Sequence, residues 1–316
     1  MSATANADTL VTLFGGSGFL GRHVARALAE RHYRLRVAVR RPYLAAQRLG
    51  QPGQIEVVRA DVRIPRMVEA AVRDAEVVIN LVGILFERGG QQFDAVQARG
   101  AGSVARAAAQ TGARLVHVSA IGADADSRAA YARSKAQGEA LVLTEAPEAT
   151  IFRPSIIFGP EDQFFNRFAA MAWISPFLPL IGGGHTRFQP VFVGDVAHAI
   201  AKAAAGDTKP GTTYELGGPD VRTFKELMEF VLAATGQRRL LMPIPFTLAK
   251  LQASVLQFLP TPPLTPGQVE LLKRDNVVSA AAKREGRTLE ALGIEPASIA
   301  AIVPTLSPAL SQLKAV

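Results

Sequence analysis

The chain has 316 residues and no cysteine, which excludes disulfides, a thiol nucleophile and a Cys-ligated metal, and fits a reducing compartment. Long apolar runs are missing too: no uninterrupted stretch reaches the about 18 residues of a membrane span. Aromatic residues are only 7% and do not alternate with basic ones, and Lys and Arg form no block. Those two gaps remove a stacking platform for single strands and argue against a nucleic-acid partner. Met1–Asp8 lacks both a basic and an apolar region, so it does not read as a signal peptide. The expectation is a cytoplasmic protein, at most peripheral at the inner face of the cytoplasmic membrane.

Hydrophobic residues at 48% with 20% charged describe a folded chain, long enough for one elaborated domain or a domain and a half. The net charge of +8 suits an anionic membrane face, an acidic protein or a phosphorylated cofactor. No metal site is expected.

From Leu10 the chain alternates short apolar runs with helical spacing. The runs are Leu10–Phe14, Leu35–Val39, Ile55–Val58, Val77–Leu81, Leu115–Val118 and Thr150–Phe152, with helical segments at Gly18–Arg31, Met67–Arg73, Phe93–Gln110 and Ala129–Glu145. This βαβ repetition predicts an α/β, doubly wound parallel sheet with helices on both faces. Gly112 reads as a helix C-cap.

Beyond Pro154 the rhythm changes. Ser155–Arg187 reads as loops around one helix, Phe188–Val193 as a strand, and Asp195 as the N-cap of a helix through Ala205. Thr213–Leu216 predicts a strand, and Thr223 with Glu226 three residues on predicts a capping box. Pro243–Leu259 is amphipathic: Thr247, Lys250, Ser254 and Gln257 share a stripe, and Leu248, Leu251, Val255, Phe258 and Leu259 fill much of the rest. Few basic residues flank that apolar face in the sequence, so a helix packed on the body is expected ahead of an interfacial membrane helix. The Ala- and Pro-rich tail from Ala280 to Val316 has no assigned role. Residues 1–155 with about 188–217 are expected to form a dinucleotide-binding domain, and 156–187 with 218–316 a smaller C-terminal lobe.

The chemistry is concentrated at the strand ends. Gly15, Gly18 and Gly21 form G-x-x-G-x-x-G across Gly15-Gly16-Ser17-Gly18-Phe19-Leu20-Gly21, between the first strand and the first helix. Such a turn brings backbone close to a pyrophosphate, and the helix aims free N–H groups at it. Arg40 and Arg41 close the second run, where an acid would grip the ribose of NAD(H); two arginines suit the 2′-phosphate of NADP(H), with NAD(H) second. Asp61, followed by Val62, accepts from the adenine amino group or caps a turn. Leu81, Val82 and Gly83 make an open turn that admits the cofactor. Ser119 ends the fifth run, and Tyr131 and Lys135 stand four apart at the start of a helix, on one face. There a cationic lysine lowers the phenol pKa, and Tyr131 exchanges a proton with a carbinol or carbonyl oxygen that Ser119 holds.

Taken with Phe152-Arg153-Pro154-Ser155, Pro190 to Val196 and Tyr214 to Pro219, these motifs resemble the short-chain dehydrogenase/reductases of the extended or atypical type, over most of the first 235 residues. The resemblance implies catalytic roles for Ser119, Tyr131 and Lys135, and cofactor contacts that include Pro154. Tyr131 to Glu139, Arg153 to Phe168 and Thr186 to Val191 resemble, more closely, the reductase-like accessory subunits of respiratory complex I and their bacterial homologues. That likeness implies a tightly held NADPH serving assembly and stability, with complex I or a membrane-associated, quinone-related complex as partner. A working NADPH-dependent reductase of a hydrophobic carbonyl is the alternative. A nucleotide-sugar epimerase or dehydratase comes third, because the substrate half is apolar.

Overall fold

Six of the short apolar runs become strands β1 (Leu10–Phe14), β2 (Arg34–Val39), β3 (Ile55–Arg59), β4 (Val77–Asn80), β5 (Arg114–Val118) and β6 (Thr150–Pro154) in the computed structural model, which describes residues 6–49 and 54–302. Between them lie α1 (Phe19–Ala29), α2 (Pro42–Leu49), α3 (Pro65–Val72), α4 (Arg99–Thr111) and α5 (Ala130–Glu145). Helix α2 escapes the sequence reading; it begins on Pro42, whose fixed φ suits a first turn. The fourth helical segment is not uniform, since a π-helical turn at Asp94–Ala98 precedes α4. Gly112 caps α4 in the left-handed conformation, as expected.

The second half supplies β7 (Ile157–Phe158), α6 (Phe165–Ile174), β8 (Phe177–Ile181), β9 (Arg187–Phe188), β10 (Val191–Phe192), α7 (Val193–Ala205), β11 (Thr213–Leu216), β12 (Arg222–Thr223), α8 (Phe224–Thr235), β13 (Leu240–Ile244), α9 (Phe246–Leu256), α10 (Pro266–Leu271) and α11 (Ala280–Arg284). The main sheet runs β11-β6-β5-β4-β1-β2-β3, and all its pairs are parallel. Every residue of β1 and β4 is buried, which is why these strands read as continuous apolar runs rather than alternating ones. On one face Val11 and Leu13 meet Val24 and Leu28 of α1 and Ile200 of α7. On the other, Phe14 and Val78 meet Val68 of α3, Val104 of α4 and Val142 of α5. The strand order reverses between β1 and β4, so their carboxyl ends frame the crevice where open α/β sheets bind ligands.

The smaller lobe is built on phenylalanines. Phe158, Phe164, Phe165, Phe168, Phe188 and Phe224 make a chain of ring contacts at centroid distances between 5.2 and 6.3 Å. Thr223 and Glu226 form the predicted capping box on α8. Several expectations change here. Ser155–Arg187 contains a strand, β8, which pairs in parallel with β13. Phe188–Val193 breaks at Gln189-Pro190 into β9 and β10, because proline cannot donate to a ladder. Asp195 is not an N-cap: α7 starts at Val193, and the Asp195 carboxylate in its first turn accepts the Ala297 N–H at 2.8 Å, a partner 102 residues away.

The tail changes the domain boundary. Leu289 is fully buried, and it and Leu292 pack into the core shared by β1, α1 and α7. The Ser279 N–H also donates to Glu215 on β11 at 2.7 Å. This part of the tail therefore belongs to the dinucleotide-binding body, not to the smaller lobe. Residues 303–316 of the tail and 1–5 of the N-terminal segment lie outside the described residues. Among the described residues, no helix is long and apolar enough to cross a membrane.

Helix α9 is inverted relative to expectation. Its buried residues are the small ones, Ala249 and Ala253, packed with Ile181 and Val269. Phe246 anchors the start against Gly182, so closely that a Cβ on that glycine would stand 2.2 Å from the ring. Leu248, Leu251 and Val255 face outward instead of packing on the body.

Candidate functional site

The glycine turn is set by contacts that leave no room for side chains. Gly15 takes φ +82, and a Cβ there would stand 3.3 Å from the backbone of Leu81 and Val82. A Cβ on Gly21 would stand 2.3 Å from the Gly15 carbonyl oxygen. Gly18 is the N-cap of α1 and has no side chain to offer, so no cap bond closes the helix. The first-turn N–H groups, including those of Phe19 and Leu20, are left for an anion at the positive end of the helix dipole. Leu20 packs on the core below and Phe19 meets His23 edge-on at 5.7 Å. Arg22 donates to the Ser17 carbonyl at 3.1 Å and pairs with Glu161, tying the turn to the loop after β7.

Arg40 and Arg41 follow β2 and are exposed at the same sheet edge. Asp61, just past β3, is held by Arg63: Oδ1 accepts the backbone N–H at 3.0 Å and Nε at 2.9 Å, and Oδ2 accepts from the guanidinium at 2.6 Å. The hydrogen bonds from Arg63 hold the Asp61 carboxyl below its usual range, with Arg40 adding to the effect. Arg63 also donates to the Gly90 carbonyl at 2.6 Å. No motif in the sequence points to Arg63. Val62 turns into the core, against Gly100.

The open turn after β4 lies beside the fifth helix. The Val82 N–H donates to Asn80 Oδ1 at 3.1 Å, and a Cβ on Gly83 would stand 3.5 Å from Lys135 Nζ. Gln97, in the π-helical turn, accepts the Ile84 N–H at 3.1 Å and donates to Ser134 at 2.9 Å. π-Turns recur at functional sites, and this one places a buried amide between the two walls of the crevice. Gln97 is a positioning residue that the sequence reading missed.

Ser119 is 4% exposed, and its Oγ has no hydrogen-bond partner among the described residues. Lys135 is buried and donates from Nζ to the Val118 carbonyl at 3.2 Å. Burial brings its pKa down to about 8, partly opposed by Glu139. Tyr131 is half-buried, in edge contact with Phe93 at 5.8 Å, and desolvation pushes its pKa up to about 12. Desolvation thus raises the phenol pKa, opposite in direction to the lowering expected from Lys135. Pro154 is buried at the end of β6, and its carbonyl accepts the Ile121 N–H at 3.0 Å. Among the described residues no three His, Asp or Glu groups converge as metal ligands.

Two further residues frame this crevice. The Asn80 amide stands 3.3 Å from His117 Nδ1 on the neighbouring strand, and since Asn80 Oδ1 already accepts, its Nδ2 donates and the His117 proton sits on Nε2. Asn276 is the second. Its Oδ1 accepts from Ser155 Oγ at 2.6 Å and the Ile156 N–H at 3.1 Å, while its Nδ2 donates to the Ile121 carbonyl at 3.1 Å.

A dinucleotide fits this cradle. The uncapped α1 terminus and the glycine turn suit the pyrophosphate, the exits of β2 and β3 suit the adenosine end, and the orphaned Ser119 Oγ beside Lys135 suits the nicotinamide end. The sequence profile of the "NAD dependent epimerase/dehydratase family" matches residues 11–217. A relative in Arabidopsis thaliana, "NADH dehydrogenase [ubiquinone] 1 alpha subcomplex subunit 9, mitochondrial", is 36% identical over 85% of this chain and 71% of its own length. "Ceramide reductase" of Caulobacter vibrioides is 38% identical over 56% of this chain and 55% of its own. The Thermus thermophilus UDP-glucose 4-epimerase, solved with NAD, superposes with a TM-score of 0.70 at 21% identity, covering 98% of this chain and all of its own, a likeness of fold. The chain belongs to the NAD dependent epimerase/dehydratase family, as an extended short-chain dehydrogenase/reductase-like protein.

Proposed function

We propose that this protein holds NADP(H) as a standing part of its fold, at the inner face of the cytoplasmic membrane, in association with respiratory complex I or a related quinone-linked assembly. The relatives named as NADH dehydrogenase subunits support the partner. The exit of β2 supports the nucleotide: two exposed arginines and no acid where a ribose hydroxyl would need one. A structural role is supported by what the protein leaves open, since the bound dinucleotide would meet the bare α1 N–H groups and the buried Ser119 Oγ. Residues 1–155 and about 188–217, with the returning tail, would then carry the cofactor, and the smaller lobe the partner. Nucleotide released by heat from the purified protein should be NADPH or NADP+. Arg40→Asp should weaken NADPH binding about tenfold or more, the worth of one charge-assisted bond, and leave NADH unchanged. Release of NADH, or unchanged NADPH affinity, overturns the choice.

Turnover is a second reading, supported by the buried, unpartnered Ser119 Oγ next to the Val118 carbonyl that Lys135 holds. Bound NADPH would supply a hydride to a carbonyl carbon; Tyr131 would give the oxygen its proton while Ser119 Oγ donates to it, and Lys135 supports the charge.

A further inference from the structure

The outward stripe of α9 is an exposed apolar surface in the smaller lobe. Leu251 is 67% exposed, Val255 70% and Phe258 83%, with Leu248 and Leu259 about half exposed beside them. Spacings of three and four residues put Leu248, Leu251 and Val255 on one side of the helix, away from Ala249 and Ala253, and Phe258 and Leu259 follow just past its end. A helix that needs only alanines to attach itself, yet carries leucines and a phenylalanine outward, presents a face built for an apolar medium.

Cations gather along α9 and just past its end, one on the helix and four from other parts of the chain. Lys250 lies on α9 itself. Lys273 sits over the Phe246 ring at 5.9 Å, and Lys273, Lys250 and Arg128 all pull the Glu270 carboxyl below its usual range. Just past Leu259, Arg88 donates to the Pro260 carbonyl at 3.2 Å and Arg167 to the Pro263 carbonyl. From Phe230 to Val269 the sequence contains no acidic residue at all. Glu270 on α10 is the acid that Lys273, Lys250 and Arg128 face.

We infer that α9 lies in the plane of an anionic lipid surface, its leucine stripe inserted at the headgroup boundary and its basic cluster on the lipid phosphates. Interfacial helices combine these two attractions, apolar insertion and charge, and each is weak alone. A second copy of this chain would set one basic cluster against another, and a lipid surface takes both the apolar stripe and the cations at once. The inference deepens the proposed inner-face location and rests on it only for the leaflet involved.

The test uses the full chain, without complex I, and two vesicle compositions: phosphatidylcholine alone, and phosphatidylcholine with phosphatidylglycerol. Co-sedimentation is expected with the second and weak with the first. It should fall about tenfold in Leu251→Gln/Val255→Gln and in Lys250→Glu/Lys273→Glu, and on raising salt to about 0.5 M, where charge is screened. Thermal melting of Leu251→Gln/Val255→Gln should match the parent, since both residues are exposed, and NADPH affinity should be unchanged in both variants. Failure of the parent to bind, or binding indifferent to both double variants, overturns the docking face. So does a dimer in sedimentation velocity that Leu251→Gln/Val255→Gln dissociates, because the face would then belong to a second copy. None of these outcomes touches the cofactor or complex I, so loss of the docking face leaves the proposed function standing.

Discussion

Asn80 and His117 face each other in register on β4 and β5, and the amide of one fixes the tautomer of the other. Burial, reinforced by Lys135, brings the His117 pKa down to about 3 from an ordinary 6.5. The imidazole is neutral in the folded protein and takes up a proton on unfolding below pH 6.5. Stability from this group is therefore whole above pH 6.5 and is lost as the pH falls towards 3, by about 1.4 kcal/mol per pH unit. Urea titrations at several pH values should show His117→Gln with a slope shallower by one proton in that window. An unchanged slope would place the acid sensitivity elsewhere.

Gly21→Ala should do more damage than its single methyl suggests. The new Cβ meets backbone at 2.3 Å, which cannot step aside, so the turn and α1 must separate. NADPH binding should be lost and the melting temperature fall by several degrees. Gly236→Ala, a left-handed C-cap with open space around it, should cost only about 1 kcal/mol and leave binding intact.

Tyr131→Phe separates standing cofactor from turnover. If NADPH is held and not consumed, the variant should bind it within about twofold of the parent, because one hydroxyl carries little of a dinucleotide's affinity. If the protein reduces carbonyls, NADPH oxidation with hydrophobic ketones should fall by about 100-fold or more, the usual range for loss of a general acid.

Leu289→Ala and Leu251→Ala make a matched pair. The first empties a fully buried place in the body and should cost about 2–5 kcal/mol in urea unfolding. The second trims an exposed side chain and should stay within about 0.5 kcal/mol. Equal costs would contradict the reassignment of the tail.

Much of this architecture is legible in local pattern. Buried parallel strands such as β1 and β4 must be apolar throughout, and the glycine turn, the Gly112 cap and the Thr223 box are decided by residues within a few positions of each other. What the sequence conceals is set by partners far along the chain. Asp195 looks like a cap until Ala297 is found beside it. Arg63 carries no motif, and its grip on Asp61 is a matter of side-chain direction. The apolar stripe of α9 looked like a packing face because amphipathicity says which sides differ, not which side is in, and the cations gathered near it come from Arg88, Arg128, Arg167 and Lys273. The Tyr131 phenol follows the same rule: the spacing to Lys135 is visible, the desolvation that raises its pKa is not.

The reach of Asn276 bears on how the protein is made. Ser155, which closes the crevice, waits for a partner 121 residues downstream, and Leu289 completes the core later still. At roughly 5–20 residues per second, the ribosome needs about 6–24 s to deliver Asn276 after Ser155 has been added. The glycine turn and five strands can form early, but the nascent chain must keep an unfinished crevice through that interval. A chain stalled before Asn276 would carry the whole glycine turn and still lack the side chain that ties Ser155, Ile156 and Ile121 together.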